Sequence, residues 1–147
     1  MEITFKSFIL TALQFLAMLF LFLTGPWIAK SIFLIVLEIL GLVLWLWSFG
    51  IMLFAKSYGL FPEIGQKSVL ITKGPYRFIR HPIYSGMLLL ALALILNYWN
   101  TFRLFLFFLL LVSSLLKLGY EEEILKKHFK DYTDYQKSTK RLIPFIW

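Results

Sequence analysis

Gly74-Pro75-Tyr76-Arg77-Phe78-Ile79-Arg80-His81-Pro82-Ile83-Tyr84-Ser85-Gly86 sets two arginines, a histidine, two tyrosines and two glycines between long apolar runs. Ionisable groups beside hydrocarbon are costly, so a cluster of them at a membrane boundary reads as functional by default. A second polar island, Glu121-Glu122-Glu123, follows the next pair of apolar runs. The two islands and the runs around them define an all-α membrane fold.

Composition agrees. Of 147 residues, 60% are hydrophobic and mean hydropathy is +0.79, against about 45–50% apolar content in soluble domains. The length corresponds to a single membrane domain, residues 1–147. The chain has no cysteine, which excludes disulfides, thiolate metal sites and a cysteine nucleophile. His81 and His128 lie too far apart for a local metal motif, so no metal is expected. The net charge of +7 does not point to nucleic acid, because the basic residues flank the apolar runs, as anchors to anionic lipid do.

Four apolar runs predict four transmembrane helices: about Phe8–Leu23, closed by Thr24-Gly25-Pro26, then Ile32–Ala55, Ile83–Leu96 and Phe102–Leu118. The third is short for a span, which suggests tilting, local thinning or burial in the bundle. The first has only Lys6 against Glu2 ahead of it and no small-x-small pattern before Pro26, so it is expected to stay as a helix rather than be cleaved as a signal. Lys and Arg divide two to thirteen. Lys30 and Arg103 fall on one side; Lys6, Lys56, Lys67, Lys73, Arg77, Arg80, Lys117 and the basic residues that follow fall on the other. The positive-inside rule then puts both termini and both polar islands on the cytoplasmic side, with a prokaryotic cytoplasmic membrane as the expected location.

The loop from Lys56 to Arg80 carries the breakers Gly59, Pro62, Gly65, Gly74 and Pro75, with room for a short extended piece at Val69–Thr72. Pro82 suits the first turn of a helix and makes His81 extended rather than helical at its entrance. Beyond Leu118, helical spacing of Ile124, Leu125, His128, Phe129, Tyr132 and Tyr135 predicts a C-terminal amphipathic helix continuing the fourth span, with His128 packed on its apolar face. Glu38, alone within the second run, is expected to act structurally near the outer side, paired with Asn97, Lys30 or Arg103.

Arg80 can grip a carboxylate in bidentate fashion, His81 can donate or accept, and Tyr84 adds an aromatic face with a hydroxyl. Gly74 and Gly86 allow a ligand to approach the backbone. On composition alone a basic anchor followed by a Pro-initiated helix explains this block equally well, and a charged helix cap explains the glutamates.

The spacing is more specific than the composition. Leu70-Ile71-Thr72-Lys73-Gly74-Pro75-Tyr76 followed by Arg80-His81-Pro82-Ile83-Tyr84-Ser85-Gly86 resembles the "L-V-T-x-G-x-Y…R-H-P-x-Y-x-G" block of isoprenylcysteine carboxyl methyltransferases, relatives of the phospholipid methyltransferases. Glu121-Glu122, Leu125, Phe129, Tyr132, Tyr135 and Pro144 follow in matching order. The likeness covers Leu70–Phe145. It departs where Lys130 follows Phe129 and where the interval to Tyr132 is one residue shorter.

This resemblance implies an S-adenosylmethionine-dependent methyltransferase with a cytoplasmic cofactor pocket. Residues 1–55 would supply two generic transmembrane helices, and residues 56–147 the cofactor-binding loop, a helical hairpin and the C-terminal helix. Carried over by position, His81, Tyr84, Gly86, Glu121 and Glu122 would hold the cofactor, Tyr76 and the backbone from Leu70 to Gly74 would cover it, and Arg80 would lie nearest the methyl acceptor. The expected acceptor is an amphiphile entering from the lipid, foremost a prenylcysteine-type carboxylate, with phospholipid amines and small thiols as alternatives. No obligate protein partner is implied. Sterol reductases, with a similar helical core and a nicotinamide cofactor (NADPH), and a non-enzymatic membrane adaptor are the competing classes.

Overall fold

The computed structural model describes residues 5–55, 69–144 and 146. Helices α1 (Phe5–Leu23), α2 (Ile32–Phe54), α3 (Pro82–Asn97), α4 (Thr101–His128) and the short α5 (Tyr132–Ser138) account for most of these residues, with a 3-10 turn at Gly74–Arg77 leading into α3. Among the described residues there is no strand, only an isolated parallel bridge between Ile79 and Lys140. The protein is an all-α membrane protein. Lys56, Lys67 and the breakers Gly59, Pro62 and Gly65 lie outside the described residues.

Three helices, α1, α2 and α4, are long and apolar enough to cross a membrane. The 16 residues of α3 make a rod of about 24 Å, short of the roughly 30 Å hydrocarbon core. Its shortness goes with a central position. Leu90, Ala91, Ala93, Leu94 and Ile95 are buried, with α2 along one side and α4 and α1 along the others. A helix apolar all round is one that is surrounded. The outer faces of α1, α2 and α4 instead expose large side chains such as Leu19, Val43 and Phe105, the surface a lipid environment covers.

α4 runs ten residues beyond its apolar run, so the expected amphipathic continuation exists as its last turns. It does not carry through to Tyr135. Phe129 leaves helical geometry (φ −109°, ψ 117°), and Tyr132 opens a separate helix. One continuous helical spacing for Leu125, Tyr132 and Tyr135 is therefore corrected. His128 is exposed rather than packed, its ring edge-on to Phe129 at 4.8 Å, because the last turn of α4 projects past the bundle. Lys126, Lys127 and His128 there complement the negative end of the helix dipole.

At the opposite end Arg103 is fully buried and is no loop charge. Its Nη1 donates to Leu21 O at 2.7 Å and Thr24 Oγ1 at 3.1 Å, and its Nη2 to Leu94 O at 2.7 Å. Those carbonyls lie in the last turns of α1 and α3, Leu94 O accepting from the Tyr98 N–H as well at 3.3 Å, so one guanidinium ties two helix ends together. Asn100 caps α4 itself by accepting from the Arg103 N–H at 2.9 Å. Glu38 serves structure, through backbone rather than the side chains expected: its Oε2 accepts from the Ala29 N–H at 3.2 Å. Asn97 holds the same turn, accepting from the Lys30 N–H at 3.1 Å.

Gly41 and Gly86 let α2 and α3 meet backbone to backbone. A Cβ on Gly86 would lie 2.6 Å from Trp45 N and 2.8 Å from Gly41 O, and one on Gly41 2.7 Å from Leu90 N. Gly86→Ala is expected to lower stability by about 1–3 kcal/mol, read as a lower melting temperature of the detergent-solubilised protein. Gly50→Ala, where an added Cβ meets nothing within 4 Å, is expected to leave it unchanged or raise it.

Candidate functional site

The approach to α3 is shaped by two residues with restricted alternatives. Gly74 has φ +60°, a left-handed conformation glycine adopts without strain, and an added Cβ there would meet the Ile51 side chain. Pro75 then opens the 3-10 turn. The turn presents Tyr76, whose carbonyl accepts from the Tyr135 hydroxyl at 2.6 Å and whose hydroxyl reaches Ser48 O on α2 at 3.4 Å. Burial first, and then the charge of Glu121, raise the Tyr76 hydroxyl above its usual range, so it stays a donor.

From Phe78 the chain pairs with the segment after α5. Lys140 N–H donates to Phe78 O at 3.1 Å, Arg80 N–H to Lys140 O at 2.7 Å and His81 N–H to Arg141 O at 3.1 Å. The Ser85 hydroxyl adds a bond to Leu142 O at 2.6 Å. These bonds hold Arg80 and His81 against α4 just where Pro82 starts α3, with His81 non-helical (φ −123°, ψ 58°).

Opposite stand two of the three glutamates. Glu122 accepts from Arg80 Nε at 2.7 Å through Oε1 and lies 3.1 Å from Arg141 Nη2 through Oε2. Arg80 Nη1 donates to Gln136 O at 3.1 Å and Thr139 O at 2.5 Å. Glu121 accepts from the Tyr84 hydroxyl at 2.5 Å, and Tyr84 stacks on the His81 ring at 5.8 Å. Glu123 is exposed.

The His81 ring lies between the two acids, Nδ1 3.4 Å from Glu121 Oε2 and Nε2 3.5 Å from Glu122 Oε1. The second is an ion-pair distance without hydrogen-bond geometry, and Nε2 is a buried polar atom with no hydrogen-bond partner among the described residues. Burial disfavours the imidazolium, but the two flanking carboxylates, Glu121 and Glu122, outweigh it and raise the His81 pKa above its ordinary value.

Tyr76, Arg80, His81, Tyr84 and Glu121 line the polar end of a cavity of about 250 Å³. Thr11 and Gln14 of α1 and Lys117 of α4 also line it, and its other walls are apolar, among them Phe15, Met18 and Phe22 of α1, Leu42, Trp45, Phe49 and Met52 of α2, and Met87 and Leu90 of α3. α1 packs on α4 and α2 on α3, while α1 and α2 scarcely touch, so the cavity lies in the cleft between them. Leu70 sits elsewhere, beside a separate space of about 10 Å³ with Leu125, Tyr132 and Tyr135, room for about one water. Glu122 stands behind His81 outside the lining, and Gly86 faces the α2 backbone. Sequence reasoning missed Thr11, Gln14, Trp45 and Phe49 as cavity residues, since nothing in an apolar run tells which face meets a cavity. Lys117 had a signal, a lysine one turn before Glu121 on the same helix.

A buried acid–histidine–arginine group thus lies at one end of a largely apolar cleft in a bundle whose long helices suit a membrane. Residues 28–132 match the family profile described as phospholipid methyltransferase. That span holds α2, α3, α4 and both polar islands, well over half the chain, and the protein belongs to this family: it is a membrane methyltransferase. No curated protein and no solved structure gives a significant match.

A raised His81 pKa stabilises the fold fully below the imidazole's ordinary value of about 6.5, and that contribution is lost as pH rises through the raised value. The wild-type melting temperature is expected to fall across this alkaline interval, and His81→Asn to flatten the fall. A parallel pH slope in both proteins would remove His81 as its source.

Proposed function

We propose that the protein transfers a methyl group from S-adenosylmethionine to the polar end of a membrane amphiphile, with the reaction centred on His81, Tyr84 and Glu121. The observation carrying this reading is the cavity itself, with a cluster of polar and charged groups on part of its lining and hydrocarbon side chains over most of the rest.

The residues present fit the cofactor. The unpartnered Nε2 of His81 offers a buried hydrogen-bonding atom, Glu121 brings negative charge for an ammonium or ribose hydroxyls, and Tyr76 and Tyr84 supply aromatic faces beside it. When bound, S-adenosylmethionine supplies an electrophilic methyl on a positively charged sulfur, taken by a nucleophile in an in-line displacement. The chain's part is then positional: holding both reactants in near-attack geometry supplies several kcal/mol, and the apolar walls keep water out. Glu122 and the carbonyls of Gln136 and Thr139 hold Arg80 rigidly, which leaves its guanidinium to fix the wall of the site and orient an anionic acceptor.

The cleft between α1 and α2 supports lateral entry of a hydrocarbon chain. Two acceptors remain in view. A prenylcysteine-type carboxylate, suggested by the Arg-His-Pro block, needs no general base, whereas a phospholipid amine, suggested by the family profile, must lose a proton before attack. The charge division supports a cytoplasmic site with both termini on that side. No protein partner enters this reading.

Purified protein is expected to bind S-adenosylmethionine saturably, and Glu121→Gln to weaken that binding tenfold or more, about 1.4 kcal/mol. Radiolabelled methyl transfer into phospholipid, prenyl-peptide and thiol pools then identifies the acceptor. Binding of NADPH but not S-adenosylmethionine would defeat the reading.

A further inference from the structure

Gln14 sits in the middle of α1, a helix outside the span matched to the family profile, and only 5% of it is exposed. Its Nε2 donates to Ser114 Oγ on α4 at 3.0 Å. Ser114 in turn gives its single hydroxyl proton to Leu110 O at 2.7 Å, so toward Gln14 its oxygen can only accept, and the orientation of the amide is fixed. The amide oxygen, Oε1, is left over and has no hydrogen-bond partner among the described residues. Gln14 lines the cavity, with Phe15 and Met18 beside it on the same helix.

A glutamine–serine pair can serve as glue between membrane helices, but that use occupies only the nitrogen of the amide. The free oxygen is an acceptor in a space walled mostly by hydrocarbon, and what satisfies it is an N–H or O–H of the molecule that fills the cavity. Position along the bundle says which part of that molecule. Gln14 is level with Ser114, and α4 advances two turns, roughly 10 Å, from there to Glu121. An acceptor whose reactive end lies by Glu121 and His81 therefore brings to Gln14 a group several bonds further along, where its polar head gives way to its tail.

Resting on the function proposed above, we infer that Gln14 is a specificity-determining residue that accepts a hydrogen bond from an amide N–H or hydroxyl at the head–tail junction of the acceptor. The class selected has a head long enough to separate that donor from the methyl-receiving atom by roughly 10 Å. An aminoalkyl phosphate on a hydroxyl- or amide-bearing backbone spans this distance, whereas in a prenylcysteine the nearest N–H is only a few bonds from the carboxylate.

The test titrates the full chain in nanodiscs with short matched probes. These are N-hexylacetamide and its N-methyl derivative, which keeps the carbonyl and loses the N–H, and 2-octanol and its methyl ether. The wild type is expected to bind the donor-bearing member of a pair about fivefold more tightly than the capped one, and Gln14→Met to abolish that preference. Ser114→Ala, which removes the interhelical bond and leaves the glutamine, is expected to keep it. Should Gln14→Met not fold, Gln14→Asn, which withdraws the amide by one methylene, is expected to lose the preference as well. In methyl transfer, Gln14→Met should raise KM about fivefold for a donor-bearing acceptor but not for its capped analogue, with a smaller change in kcat and S-adenosylmethionine affinity unchanged. A preference equal in wild type and Gln14 variant overturns the assignment, and so does an equal loss of affinity for capped and uncapped probes, because Gln14 would then act as helix glue alone. Preference that follows Gln14 in a protein that transfers no methyl group would refute the proposed reaction, whereas methyl transfer without such preference would refute this inference alone.

Discussion

The Glu122 carboxylate is the constraint on which the Arg80–His81 end of the bundle depends. One buried acid meets Arg80 from the loop before α3 and Arg141 from the segment after α5, with His81 close by. A buried ion pair is weak evidence for stability, since desolvation offsets much of the attraction, but removing one partner strands the others. The cluster therefore specifies an arrangement. It obliges two segments far apart in sequence to converge on one face of α4, and the side chains that line the polar end of the cavity are held by that convergence.

The opposite end obeys the same rule with different chemistry. Arg103 ties α1 to α3 through carbonyls of their last turns, Glu38 and Asn97 hold the turn between α1 and α2 through backbone N–H groups, and each of these side chains serves backbone at or beside a helix end. Between these polar ends the packing is small on small. Gly41 and Gly86 draw α2 onto α3, α1 lies on α4, and the short α3 fills the centre. The cleft between α1 and α2 is what remains when two helix pairs share a central helix without meeting.

Helix positions were legible because runs of apolar residues ended in strong punctuation: Thr24-Gly25-Pro26, His81-Pro82 and Asn97-to-Asn100 each coincide with a boundary within a few residues. The site block was legible because charges in an apolar chain are few. Less was readable where a residue's role depends on a partner distant in sequence. Arg103 and Lys117 counted as loop or flank charges, yet both are buried by contacts to α1 that no local pattern announces. Gly86 read as a place for a ligand to approach, while the backbone approaching it is that of α2. The end of α4 was blurred because Tyr132 and Tyr135 keep a helical spacing across a break at Phe129.

The parallel bridge between Ile79 and Lys140 also has a temporal meaning. All four long helices are synthesised before the segment that tethers Arg80 and His81 exists, so the bundle can enter the membrane with its charged end unfinished. Residues 139–142 then close it as a latch. Until that moment Glu122 lacks Arg141 and the loop before α3 lacks its bridge, and a polar end still in contact with water is cheaper to leave open than to bury. The chain order thus allows insertion to precede closure of the charged end, because the final partner of the first polar island comes after the second.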